Sequence, residues 1–295
     1  MLNIDASAFH RDGFLVIPNA FSEEELVALR SHMDEMIQSF DFANHKSTFE
    51  TSKQKQKDDE YFLESGDKIR FFLEADILDD EGNLKCPRES AINKVGHALH
   101  DLDDVFKKFS YNPLLLSAVK KIGLISPTIV QSMFIFKSAR TGGVVTPHQD
   151  SSFVQTNPAT CVGTWVSLED ATRENGCMWA VPGSHKKPVT RMFNYYGREK
   201  GCTLENDEPY DITGAVPIEV TKGTLVLLHG GLVHYSGHNH SDKSRHAYTL
   251  HIVDQEAKYL ETNWLRRENP EFPFFDFEEQ SRQIYGNDLV DTYLK

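Results

Sequence analysis

His148 and Asp150 stand two residues apart in the run Thr146-Pro147-His148-Gln149-Asp150. If residues 143–153 are extended, positions i and i+2 point to the same face, so an imidazole and a carboxylate converge on one point. A second imidazole from a neighbouring strand would complete two histidines and one carboxylate on one side of a metal ion. That set leaves the other positions open and is the usual home of oxygen-activating, non-haem Fe(II). The preceding loop Thr141-Gly142-Gly143 would let the strand enter from a tight turn. Alone, His-x-Asp is a weak signal, because such tripeptides are common.

The second histidine has six candidates: His229, His234, His238, His240, His246 and His251. His229 ends the apolar run 224–228 and reads as a histidine at a strand end. His238 and His240 fall in the polar turn 237–243, where solvated histidines are the bland expectation. His234 follows Gly230-Gly231-Leu232-Val233 and precedes a turn at 236–244, with Arg245 directly beyond it. A hairpin would bring His234 and Arg245 onto adjacent strands. A metal-bound acid could then reach the guanidinium with its far carboxylate, which a planar fork suits. His234 is the best choice on this reasoning.

These side chains need a β-rich scaffold, and the chain has one from residue 126 onward. Runs over 128–137, 144–148, 161–169, 177–182, 217–220, 224–229 and 247–253 read as short strands separated by turns. Many short strands with Gly, Pro and Asn punctuation indicate a sandwich or barrel. The N-terminal third is mixed. Residues 13–18 read as a strand, and Ser22 with Glu25 forms a capping box opening a helix. Leu26, Leu29, Met33, Met36, Ile37 and Phe40 give that helix an apolar face. The polar, lysine-rich stretch 44–60 reads as an exposed loop, 67–74 as a strand and 79–87 as a turn region. Asn112-Pro113 supplies an N-cap and first position for a helix to about residue 122. Residues from about 266, with Pro270 and Pro273, read as a tail across the surface. The expected assembly is one domain over 1–295: a helical part to about 125, a core over about 126–255, and the tail.

Composition narrows the function. The net charge of −13 leaves no basic cluster for a phosphate backbone, so nucleic acid is not expected as a partner. No apolar run approaches membrane-span length, and the start Met1-Leu2-Asn3-Ile4-Asp5 does not resemble a signal peptide, so no membrane association is expected. Cys86, Cys161, Cys177 and Cys202 lack Cys-x-x-Cys spacing, which argues against a thiolate zinc site or a disulfide framework. The end Tyr293-Leu294-Lys295 is not a Ser-Lys-Leu signal. A cytoplasmic monomer is the default expectation.

His148-Gln149-Asp150, His234 and Arg245 eleven residues later, with Val181-Pro182-Gly183-Ser184-His185, together resemble the phytanoyl-CoA dioxygenase family. The segments Asp12-Gly13-Phe14-Leu15-Val16, Ser65-Gly66-Asp67-Lys68-Ile69-Arg70, Asn93-Lys94-Val95-Gly96-His97, Gln131-Ser132-Met133, Glu174-Asn175-Gly176-Cys177 and Asn263-Trp264-Leu265 look more specifically like its animal domain-containing members. The similarity runs in order from about Asp12 to Leu265. It implies a double-stranded β-helix (jelly-roll) fold with flanking helices, Fe(II) as metal and 2-oxoglutarate as cosubstrate, with ascorbate supporting activity. It further implies His148, Asp150 and His234 as iron ligands and Arg245 as the partner of the distal carboxylate of 2-oxoglutarate. Lys94, Met133, Gln149, Trp165 and Ser236 match positions that line the cosubstrate pocket. The implied reaction couples oxidative decarboxylation of 2-oxoglutarate, to succinate and CO2, with O2-dependent hydroxylation of a small molecule. The carboxylate at Asp150 favours hydroxylation, since related halogenases leave that position to chloride. The stretch 53–57 and the segment after Leu265 have no clear counterpart. The family's peroxisomal members carry an N-terminal targeting sequence, whereas this chain starts almost at its first helix, so the resemblance leaves open whether the substrate is a CoA thioester.

Two other readings use the same residues. A zinc hydrolase could activate water on three such ligands, but no general base is identifiable and Arg245 would have no role. A non-catalytic β-sandwich could bind a ligand or partner and keep the metal site as a relic.

Overall fold

A computed structural model describes residues 4–42, 45, 47–49, 59–75 and 77–295. Most of the lysine-rich stretch 44–60, including 53–57, lies outside the described residues.

Sixteen strands are formed among the described residues: β1 (Phe14–Ile17), β2 (Thr48–Phe49), β3 (Ile69–Glu74), β4 (Ile92–His97), β5 (Pro127–Ile135), β6 (Val145–His148), β7 (Thr156–Asn157), β8 (Val162–Ser167), β9 (Met178–Ala180), β10 (Met192–Tyr195), β11 (Cys202–Glu205), β12 (Val216–Ile218), β13 (Leu225–His229), β14 (His234–Ser236), β15 (Ala247–Asp254) and β16 (Lys258–Tyr259). Eight of them make one large sheet in the order β1-β13-β8-β15-β5-β4-β3-β2, and four make a smaller sheet in the order β12-β9-β14-β6. β10 and β11 pair as a hairpin, and β16 pairs β7. The crossovers between these two mainly antiparallel sheets make a jelly roll, the fold expected from the sequence.

Alternation explains the large sheet. On β15, Tyr248, Leu250 and Ile252 join a core with Ile129 and Phe134 of β5 and the helices, while Ala247, Thr249 and His251 take the opposite face. The helix Glu23–Ser39 packs on this sheet through Leu26, Leu29, Met33 and Ile37. Its capping box forms as expected: Ser22 Oγ accepts from the Glu25 amide, and the Glu25 carboxylate accepts from the Ser22 amide at 2.8 Å. Such a cap is worth about 1 kcal/mol. Asn112 caps the helix Pro113–Lys121, its side chain accepting from the Leu114 amide at 2.8 Å.

Two differences from the sequence reading have physical reasons. The N-terminal third supplies β1 to β4 to the large sheet, beyond its helices, and β4 was not anticipated because Asn93, Lys94 and His97 break its apolar pattern. The residues after 266 form the helices Phe277–Tyr285 and Asn287–Leu294 instead of an irregular tail. Asp276 accepts from the Glu279 amide at 2.8 Å, and Phe277 and Val290 are fully buried against the rest of the chain. The Asp-x-x-Glu spacing there is a helix start that the flanking prolines obscured.

Candidate metal centre

β6 and β14 are short, and their pairing register does the placing. His148 at the end of β6 lies directly opposite His234 at the start of β14. Directly opposed residues put their side chains on one face with Cβ atoms about 5 Å apart, and here the two ring centroids are 4.2 Å apart. Gln149 is extended (φ −123°, ψ 132°), which brings Asp150 to the same side as His148. The extended run stops there: Asp150–Ser152 is a 3-10 turn, in which the amides of Phe153 and Val154 both bond back to the Asp150 carbonyl at 2.9 Å. The convergence expected for residues 148 and 150 therefore needs only one extended residue between them.

Both imidazoles are held the same way. His148 Nδ1 lies 2.9 Å from the Thr146 carbonyl and His234 Nδ1 lies 3.0 Å from the Leu232 carbonyl. A carbonyl can only accept, so each Nδ1 carries the proton and each Nε2 presents a lone pair. Those Nε2 atoms lie 3.7 and 3.6 Å from Asp150 Oδ1. The three donor atoms fall within 4.8 Å of one another, as ligands of one ion require. Burial, with His234 beside it, pulls the His148 imidazole down to about 4, which keeps it neutral for ligation at neutral pH. Burial alone would raise the Asp150 carboxyl, but the imidazoles of His251, His234 and His148 around it hold it below the usual carboxylate range.

The residues present fit a divalent metal. Asp150 Oδ2 is buried with no hydrogen-bond partner among the described residues, and an unpaired buried carboxylate oxygen is costly unless an ion compensates it. Gly163 of β8 makes room for it, since a Cβ there would lie 2.9 Å from Oδ2. The donor set itself, two imidazoles and one carboxylate, suits Fe(II).

The other residues singled out from the sequence fall into separate groups. Lys94 and Met133 line a cavity of about 220 Å³ together with His148 and Asp150. The Lys94 ammonium sits 3.4 Å from the centre of the Phe49 ring, has no hydrogen-bond acceptor among the described residues, and is pushed well below the usual lysine range by burial. Phe62, Phe153, Phe193 and Trp264 make the same cavity strongly aromatic. Gln149 turns its amide to the Gly231 carbonyl at 2.6 Å and ties the metal-bearing turn to the segment before His234. Arg245, Trp165 and Ser236 lie elsewhere in the interior. The Arg245 guanidinium stands 5.4 Å from the Trp165 ring centre, its Nε donates to the Gly176 carbonyl at 3.1 Å, and burial lowers it to about 10.

One spatial expectation is corrected. His234 and Arg245 do not lie on adjacent strands of a hairpin: β14 belongs to the small sheet, and Arg245 leads into β15 of the large one. The connecting turn crosses between the sheets and is pinned by Asn239, whose amide donates to the carbonyls of Lys137, Ser138 and Lys243. Arg245 reaches the interior from the opposite sheet. Of the other histidine candidates, His238 and His240 stack on each other at the turn and His246 packs against Phe136, away from the site.

Two contributors were missed: His251, a candidate passed over for His234, and Lys137. His251 lies on β15 with Nε2 3.3 Å from Asp150 Oδ1 and Nδ1 2.5 Å from Gln131 Oε1. Its alternation with Thr249 and Ala247, on the face away from Leu250, was the available signal. Lys137 follows β5, and burial takes it down to about 7. A lysine ending an apolar strand gives no sign in sequence of being enclosed.

Comparison with known proteins gives the kinship of the chain and the likeness of its fold. The profile of the family described as Phytanoyl-CoA dioxygenase (PhyH) matches residues 9–247. Phytanoyl-CoA dioxygenase from Arabidopsis thaliana is 45% identical over 269 residues, covering 90% of this chain and 94% of that protein. Phytanoyl-CoA dioxygenase domain-containing protein 1 from Danio rerio is 42% identical over 288 residues, covering 92% of this chain and 96% of that protein. Among solved structures, the epimerase SnoN in complex with Fe3+, alpha ketoglutarate and nogalamycin RO superposes with a TM-score of 0.62 at 16% identity, covering 92% of each chain. EctD from S. alaskensis with 2-oxoglutarate and 5-hydroxyectoine gives a TM-score of 0.59 at 19% identity, covering 90% of this chain and 79% of that one. These two likenesses concern the fold, while the profile match and the close relatives give the kinship: the chain belongs to the phytanoyl-CoA dioxygenase family.

Proposed function

We propose that His148, Asp150 and His234 hold Fe(II), that Arg245 takes the distal carboxylate of 2-oxoglutarate, and that the aromatic cavity seats a small apolar substrate for hydroxylation. The chain is a 2-oxoglutarate-dependent non-haem iron dioxygenase. The observation that carries the site assignment is the Asp150 carboxylate, with Oδ2 buried and unpaired among the described residues and Oδ1 within 3.7 Å of the Nε2 atoms of two imidazoles. When bound, iron and 2-oxoglutarate supply the oxidant, with succinate and CO2 as coproducts of O2 reduction.

The chain's own residues have distinct tasks in this reading. The Thr146 and Leu232 carbonyls fix the tautomer and tilt of the ligand histidines. Arg245, with Ser236 and Trp165 around it, orients the cosubstrate from its far end. Lys94 and Met133 bound it on the cavity side, and Gln149 holds the turn that carries Asp150. Phe62, Phe153, Phe193 and Trp264 exclude water and place an apolar substrate by contact. The whole chain, 1–295, acts as one dioxygenase unit.

Assay of purified protein with Fe(II), 2-oxoglutarate, ascorbate and O2 tests this reading. Succinate is expected with Fe(II) and not with Zn(II), and Arg245→Ala is expected to raise the 2-oxoglutarate KM chiefly. Turnover of a hydrolysable substrate with zinc and no 2-oxoglutarate would overturn it in favour of a hydrolase.

A further inference from the structure

Lys137 is almost fully enclosed, and its ammonium reaches three acceptors. It donates to the Gly143 carbonyl at 2.5 Å, to Ser236 Oγ at 2.8 Å and to the Gly237 carbonyl at 3.0 Å. An ammonium has three protons, so all are used. Ser236 Oγ is thereby an acceptor from Lys137, and its own hydroxyl proton has no acceptor assigned among the described residues. Nearby, Arg245 is 2% exposed and uses only Nε, so its terminal amines have no protein acceptor assigned among the described residues. A free hydroxyl proton and an open guanidinium fork, both buried, call for an anion with two oxygens.

We propose that Lys137 is a positioning residue of the anion site: it fixes the Ser236 hydroxyl as a donor toward the carboxylate that Arg245 takes. This rests on the reading of Arg245 as the 2-oxoglutarate anchor. The same three hydrogen bonds join Gly143, which precedes the strand of His148, to Gly237, which follows the strand of His234. Lys137 therefore links the anion site to both histidine strands through the main chain. Close packing around it leaves no slack, since a Cβ at Gly142 would meet the Lys137 side chain at 2.9 Å and one at Gly176 would meet it at 3.4 Å. Burial first, and then the charge of Arg245, pull the ammonium below the usual lysine range, while the Glu74 carboxylate opposes them.

The test is binding of 2-oxoglutarate to Fe(II)-loaded protein under anaerobic conditions, with pyruvate as the probe that lacks a distal carboxylate. Lys137→Met and Ser236→Ala should each weaken 2-oxoglutarate about 10- to 100-fold, the range of a lost hydrogen bond to a charged group. Pyruvate should be affected little. The double variant should be no weaker than the worse single one, because the lysine acts through the hydroxyl, and Ser236→Thr should restore binding. Should Lys137→Met fail to fold, Ser236→Ala against Ser236→Thr still decides, since equal binding by these two overturns the donor role. Wild-type affinity in Lys137→Met, additive losses in the double variant, or equal weakening of pyruvate overturns the proposal while leaving the cosubstrate reading intact. Absence of 2-oxoglutarate binding by the wild type overturns both.

Discussion

The two sheets reach the same interior by different means. β5 and β15 of the large sheet run nine and eight residues, and one face of each packs on the helices. β6 and β14 of the small sheet run four and three residues, and none of the four residues of β6 is fully buried. The large sheet is specified by apolar alternation over long strands, where a one-residue slip would expose a whole core face. The small sheet is too short for that. Its segments are tied by side chains that grip backbone, Gln149 on Gly231 and Lys137 on Gly143 and Gly237, while His148 on Thr146 and His234 on Leu232 each fix their own ring. Stability is thus concentrated in one sheet and ligand geometry in the other, with Asp150 resting against the first while belonging to the second.

That division can be broken by mutation. Leu250→Ala on the core face of β15 should cost about 2–5 kcal/mol by leaving a cavity among fully buried neighbours. Thermal or denaturant unfolding measures the loss, and the fraction still folded should bind Fe(II) as before. A parallel loss of metal affinity would mean that the sheets are not separable in this way. A smaller and opposite effect is expected at the point of contact between them. Gly163→Ala would put a methyl group 2.9 Å from Asp150 Oδ2 and displace the carboxylate. Metal affinity should fall about 10- to 100-fold, as for other disturbances of ligand orientation, while the melting temperature moves little. Unchanged affinity in that variant would show that Asp150 does not rest on Gly163 when the metal is bound.

The same contrast explains which parts were legible in the sequence. β5, β8, β13 and β15 announce themselves by apolar runs, and the helix after Ser22 by its capping box. His148, Asp150 and His234 were visible through spacing and family motifs. Their closeness in space follows from the His234–His148 register, which no local pattern in a three-residue strand encodes. The placement of Arg245 was misjudged for a related reason. A turn bounded by polar residues looks like a hairpin, and only Asn239 bonding back to the end of β5 sends the chain into the opposite sheet. His251 was passed over for His234, and only the fold places its ring against Asp150. Lys94 stood out only through the motif Asn93-Lys94-Val95-Gly96-His97, because a lysine buried among phenylalanines has no distinguishing sequence context.

The most direct test of the central claim is anaerobic titration of the metal-free protein with Fe(II) and 2-oxoglutarate, followed by visible absorption. The account predicts the charge-transfer band of a chelated 2-oxo acid, absent in His148→Ala although that variant keeps the fold. Iron bound with no such band, or a band that survives in His148→Ala, would contradict it.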